Sequence, residues 1–259
     1  MAPSVTKRRT STSRRDATRE HSVDISEEAG VRYLHFGSDW VQGAMRIARP
    51  WSLELAYTRE MMAGLLLRDI AHWPRSALLV GLGAGSLAKF IYRNLPECRS
   101  TVVEINPQVE FIARQYFRLP DDPPRLAVVI GDGADYMLAG DRHFDYILVD
   151  GFDADARAGA LDTPPFYQAC RARLSDQGLL CVNLLGRNKG FAGSVERIQA
   201  AFDDRTAVFP SCDSGNTIAF ATAGAPVEIT LEALRENALR LKKDSGLDLL
   251  PTVSRLQLA

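Results

Sequence analysis

The chain changes its hydrophobic rhythm at Pro74. Beyond it, short apolar runs (SALLV, STVVEI, RLAVVI, DYILVD and GLLCVNLL) alternate with longer stretches such as PQVEFIARQYF and TPPFYQACRARL, whose apolar residues recur every three or four positions. The runs read as buried strands and the stretches as amphipathic helices, so successive parallel βαβ units are expected. The implied fold is α/β with a doubly wound sheet. TAVFPSCDSGNTIAFAT holds two further β runs around a glycine-containing turn, which predicts an antiparallel hairpin at the sheet edge. Residues 231–241 follow as an amphipathic terminal helix.

Upstream of Pro74 the pattern is different. RYLHFGSDWVQGAMRIARP alternates apolar and polar residues about a Gly-Ser-Asp turn and predicts a short hairpin, and TREMMAGLLLRDIAHW predicts a helix ending before Pro74. The first residues combine Lys7, Arg8, Arg9, Arg14, Arg15 and Arg19 with Ser and Thr and offer little to bury, so a disordered basic tail is expected. The organisation predicted is a tail over 1–29, a small β element over 30–57 and the large α/β domain over 58–259.

With 259 residues, 46% of them hydrophobic, the chain can bury a large core. A net charge of −1 gives no global attraction to nucleic acid or to anionic lipid, and neither is expected as a partner. No apolar run is long enough to span a bilayer, and the basic N-terminus lacks the apolar stretch of a secretory signal. The four cysteines form no C-x-x-C pair, which suits thiols in a reducing compartment, so a cytoplasmic protein is the expectation. The histidines lie far apart and predict no metal site.

Open α/β sheets bind ligands beyond the carboxyl ends of their strands. There the sequence places Gly81, Gly83 and Gly85, then Glu104, then Asp132 and Gly133 after Gly131, then Asp150 and Asp153. A glycine turn between strand and helix also arises from packing alone, but acids closing several successive strands would repel one another unless a ligand or water offsets them. Glu104, at the end of the second strand, stands where a ribose hydroxyl pair is usually held. Ser86 departs from a dinucleotide fingerprint, and no Gly-Lys-Ser or Gly-Lys-Thr is present for a phosphate loop. A nucleoside without phosphate remains, and an adenosine bearing a cationic sulfonium suits the acidic rim.

The succession GLGAGS, VEIN, GDGADYM and DYILVDGFDADARAGALDTPPFYQACRARLSDQGLLCVNL resembles the spermidine synthase family of polyamine aminopropyltransferases, over about residues 31–225. VDGFDADA followed by LDTPPFYQAC is the most specific part. The resemblance implies a Rossmann-like sheet of the methyltransferase type. It also implies transfer of an aminopropyl group from decarboxylated S-adenosylmethionine to a small-molecule amine such as putrescine. In that reading Glu104 binds the ribose, Asp132 the adenine amine, the glycines and Gln42 approach the nucleoside, and Asp150 and Asp153 flank the reacting centre. Family members commonly pair, so the resemblance leaves a homodimer open.

Departures from the family pattern bear on the substrate. Ala84 replaces an aspartate of the glycine turn that faces the donor's amino end, and Thr58 and Arg59 replace a tyrosine and glutamine, with Tyr57 one position away. An Arg59 lying in the crevice would repel a diamine. The alternatives are a methyltransferase-like enzyme using intact S-adenosylmethionine, whose carboxylate could pair with Arg59, and a nucleoside-binding protein without catalysis. Trp40 and Trp51 either line the amine pocket or anchor the small β element.

Overall fold

The computed structural model describes residues 23–37, 40–152, 157–185, 190–209, 215–224, 227 and 229–256. A three-stranded antiparallel sheet opens the fold: β1 (Val23–Glu28), β2 (Val31–Phe36) and β3 (Gly43–Arg46), in that order. Helix α1 (Ala56–Met61) and a 3₁₀ segment, Met62–Leu66, lead into β4 (Ser76–Val80). Then come α2 (Ser86–Asn94), β5 (Arg99–Glu104), α3 (Pro107–Phe117), β6 (Leu126–Ile130), α4 (Gly133–Ala139), β7 (Phe144–Val149), α5 (Pro164–Ala172) and β8 (Leu174–Leu185). The chain continues through α6 (Phe191–Ala201), β9 (Thr206–Val208), β10 (Asn216–Thr222), α7 (Leu231–Ser245) and α8 (Leu250–Leu256).

The large sheet has the order β6-β5-β4-β7-β8-β10-β9. Strands β4 to β8 pair in parallel, whereas β10 pairs antiparallel with both β8 and β9. This is the doubly wound sheet with an antiparallel hairpin at its edge that the alternation predicts. Because a strand's side chains alternate, one strand feeds two cores. Ala77 and Leu79 of β4, Tyr146 and Leu148 of β7, and Ile218 and Phe220 of β10 join α1, α2, α7 and α8 on one face. Leu78 and Val80, Ile147 and Val149, and Ala219 and Ala221 join α4, α5 and α6 on the other.

Two boundaries differ from the sequence reading. The stretch VDISEE, placed in the tail, is strand β1, paired in register with β2 from Val23 opposite Phe36 to Glu28 opposite Val31. Ala29 and Gly30, both at positive φ, make the tight turn that such a hairpin requires. The helix expected over 58–73 ends early: α1 stops at Met61, whose carbonyl accepts from the Tyr146 hydroxyl and the Cys181 thiol, and the chain tightens into the 3₁₀ segment. Gly64 permits this approach, since a Cβ there would stand 2.5 Å from the Tyr146 hydroxyl.

The small sheet lies over the glycine turn that follows β4. Leu34 and Met45 pack with Ala84 and Phe117 in a separate apolar cluster. The Lys89 amine, buried in α2, donates to the Phe117 carbonyl at 2.7 Å and ties α2 to the end of α3. Burial lowers its pKa to about 7. Cys98, Cys170 and Cys181 are free and buried.

Candidate active site

The strand order reverses between β4 and β7, and a cavity of about 630 Å³ opens at that switch point, outside the strands' carboxyl ends. Its volume lies within the range of pockets that hold a small ligand. The lining follows the order of the strands. Glu104 and Asp132 come from the β5 and β6 end, Gly81, Gly83 and Ala84 from the β4 turn, and Asp150, Asn183 and Asn216 from the β7, β8 and β10 end. Gln42, Trp40 and Phe36 from the small β element, Tyr57 and Thr58 of α1, and Arg157 and Leu161 from the chain between β7 and α5 also line it.

Gly81 marks the crowded centre. Its φ is 98°, and a Cβ would stand 2.4 Å from the Asp150 carbonyl oxygen, so β4 and β7 can end side by side only with glycine here. Gly83, at φ 51°, lets the Gln42 carbonyl come within 3.0 Å of its own Cβ position. Gly85 is different. It stands outside the cavity lining and caps α2 at φ 67°, where a Cβ would press on Leu119, so it shapes the turn without facing the cavity. Gly133 lines the cavity and opens α4, with Val80 filling the space a Cβ would need.

Each acid has a distinct setting. Glu104 is buried and accepts a backbone N–H on each oxygen, from Leu82 at 2.9 Å and from Asn106 at 2.9 Å. Burial raises its pKa, and the backbone N–H groups of Asn106, Leu82 and Ile105 oppose the rise. A carboxylate offers about four lone-pair sites, so capacity remains for hydroxyl donors. One Asp132 oxygen caps α4, accepting from Ala134 at 2.7 Å and Asp135 at 3.0 Å, which fixes the side chain at the cavity edge. Asp150 accepts from the Asn183 amide at 2.8 Å and from the Tyr57 hydroxyl. Burial raises its pKa too, with Asn183 and Tyr57 as the opposing donors.

Asp153 lies outside the described residues, and two other expectations are altered by the structure. Arg59 is not in the cavity lining: its guanidinium donates to the Leu53 carbonyl at 3.1 Å and the Glu54 carbonyl at 2.9 Å, binding back onto the chain before α1. The aromatic residue from α1 that does line it is Tyr57. Trp51 is absent from the lining and packs beside Arg93, whereas Trp40 lines the cavity and is 63% exposed. Asn183 and Asn216 were not singled out in the sequence, although a polar residue inside the apolar run GLLCVNLL was a visible signal.

Residues 54–188 match the spermine/spermidine synthase domain family. The chain belongs to this family. It is 38% identical over 226 residues to the polyamine aminopropyltransferase of Neisseria meningitidis serogroup B, covering 87% of this chain and 85% of that one. The polyamine aminopropyltransferase of Chromobacterium violaceum is 38% identical over 235 residues, 91% of this chain and 89% of its own. The crystal structure of a probable spermidine synthase from Corynebacterium glutamicum superposes with a TM-score of 0.70 at 18% identity, covering 89% of this chain and 92% of that one, a likeness of fold.

Proposed function

We propose that this member of the spermine/spermidine synthase family is an aminopropyltransferase. It moves a three-carbon aminopropyl group from decarboxylated S-adenosylmethionine to a small amine, with Asp150 as the base. The observation that carries this reading is the setting of Asp150: a buried carboxylate at the switch point, held by Asn183 and Tyr57 in one cavity with Glu104 and Asp132.

The donor set suits a cationic adenosyl compound. Glu104 accepts from the ribose hydroxyls with its remaining lone pairs, and Asp132, with its second oxygen, receives the adenine amine. Gln42 and the turn at Gly81 and Gly83 close over the nucleoside. Decarboxylated S-adenosylmethionine supplies a sulfonium whose thioether leaves without needing a proton. Asp150 orients the acceptor amine and takes its proton as the new C–N bond forms and the C–S bond breaks. Burial raises the Asp150 pKa above the ordinary aspartate value, which makes its anion a stronger base than a solvated one. Asp153, three residues further along the chain, is proposed as the second acid at the reacting centre.

An intact, carboxylated donor would not find Arg59 as its partner, because Arg59 binds the chain before α1; the arginine that lines the cavity is Arg157. Among the described residues no helix is long and apolar enough to cross a membrane, and the free, buried cysteines suit the cytoplasm. Purified protein incubated with decarboxylated S-adenosylmethionine and a panel of amines should release methylthioadenosine and an aminopropylated amine, both read by mass spectrometry. S-adenosylhomocysteine formed from the intact donor, with no methylthioadenosine from the decarboxylated one, would replace this reading with methyl transfer.

Glu104→Ala should weaken binding of methylthioadenosine by about 1–3 kcal/mol in a calorimetric titration, the range for a lost charged hydrogen bond. The same change leaves the Leu82 and Asn106 N–H groups without their acceptor, so the thermal midpoint should fall as well. An unchanged titration curve would remove Glu104 from the ribose site.

A further inference from the structure

We infer that Asn216 and Asn183 form an orienting pair behind Asp150. Asn216 fixes which end of the Asn183 amide meets the carboxylate, and so keeps a donor on Asp150. The inference rests on Asp150 being the base and adds two positioning residues to it. The Asn216 amide nitrogen donates to the Asn183 side-chain oxygen at 2.9 Å, and the Asn183 amide nitrogen donates to Asp150 Oδ1 at 2.8 Å. Both asparagines are buried.

The direction of this chain follows from its chemistry. An ionised carboxylate only accepts, so Asn183 must turn its NH₂ toward Asp150, and its carbonyl then needs a donor on the far side. Asn216 supplies it. A flipped Asn183 would set carbonyl against carboxylate and NH₂ against NH₂, two repulsive contacts in a buried site. Strand register builds the pair. Val149 stands opposite Val182, which brings Asp150 beside Asn183 one residue on. In the antiparallel β8–β10 ladder Asn183 faces Ile218 and Asn216 faces Leu185, so the two asparagines are diagonal neighbours on one face.

Other groups also surround Asp150. Tyr57 donates to it from α1, its charge raises the pKa of the Cys181 thiol on β8, and Arg157, Glu104 and Asp132 line the same cavity. The pair is isolated from them by a double-mutant cycle, which reads only the contribution that Asn216 makes through Asn183. The variants are Asn183→Leu, Asn216→Leu and the double. The readouts are the Asp150 carboxyl titration by carbon-13 NMR on the full chain, assigned by its loss in Asp150→Asn, and the pH profile of kcat.

Asn183→Leu should raise the Asp150 pKa by about one unit, as expected for a lost donor to a buried carboxylate. Asn216→Leu should raise it by a smaller amount. The double should match Asn183→Leu alone, because Asn216 works only through Asn183. The acid limb of kcat should move in parallel, with KM for the nucleoside donor held. Additive shifts in the double, or an unmoved Asp150 in Asn216→Leu, would overturn the pair. If Asn183→Leu does not fold, Asn183→Ala removes the same donor and takes its place in the cycle. Full turnover in Asp150→Asn would instead sink Asp150 as the base, and the NMR shifts would still decide the pairing.

Discussion

Asp150→Asn is expected to lower turnover by about 10²–10⁴-fold, the usual contribution of a general base, while nucleoside affinity stays within a few-fold of the parent. The substitution is close to isosteric. An asparagine here still offers its oxygen to the Asn183 amide, so the local geometry is largely kept and proton acceptance is lost. Single-turnover release of methylthioadenosine measures the chemistry, and calorimetry with methylthioadenosine measures the binding. In the parent, Asp150 must be ionised to act, and burial places its pKa above the ordinary aspartate value. Activity should therefore fall as pH drops through that raised pKa, at higher pH than an exposed aspartate would give, and this limb should disappear in Asp150→Asn. A variant that keeps the parent rate would move the base to another residue.

Much of this site was legible because strand ends are legible. Each parallel strand is an apolar run with a clear last residue, and the doubly wound topology brings those last residues to one rim, so Gly81, Gly83, Glu104, Asp132 and Asp150 could be placed together before any coordinates. The residues that escaped come from elements whose position the pattern does not fix. Tyr57 lies on a six-residue helix, and a shift of one position along a helix turns a side chain by about 100°. The family pattern directed attention to Thr58 and Arg59, yet it is Tyr57 that reaches Asp150. Asn183 and Asn216 belong to strands that were found, but their pairing depends on the β8–β10 register, which the sequence does not state.

The small β element shows the same limit. Strand β1 offers only Val23 and Ile25 to the apolar cluster around Leu34 and Met45, too weak a signal against the charged residues beside it. Pairing with β2 supplies the stability that its composition lacks. The consequence for function is direct, because the β2–β3 hairpin, buttressed by β1, carries Trp40 and Gln42 over the glycine turn. Gly85, conversely, was grouped with the ligand-facing glycines because its spacing matches theirs. Spacing alone cannot distinguish a glycine that admits a ligand from one that admits Leu119.

Gly81→Ala is expected to be the most damaging change on the rim. The alanine must adopt φ 98°, a conformation disfavoured for any residue with a Cβ, and that Cβ would stand 2.4 Å from the Asp150 carbonyl oxygen and 3.2 Å from the Gly151 Cα. Backbone on both sides must give way. A stability loss of about 2–4 kcal/mol follows from strain and overpacking together, and denaturant titration should show it. The displaced segment is the one that carries the base, and a misplacement of about 1 Å at a reacting centre can lower turnover by roughly 10²-fold, so kcat should fall even in the fraction that folds. Gly131→Ala is the matched control. It lies at the end of β6, two strands from β4 in the sheet, with nothing within 4 Å of its Cβ position, and it should change stability by less than about 0.5 kcal/mol. If the two variants behave alike, the close approach of β4 to Asp150 does not govern the site.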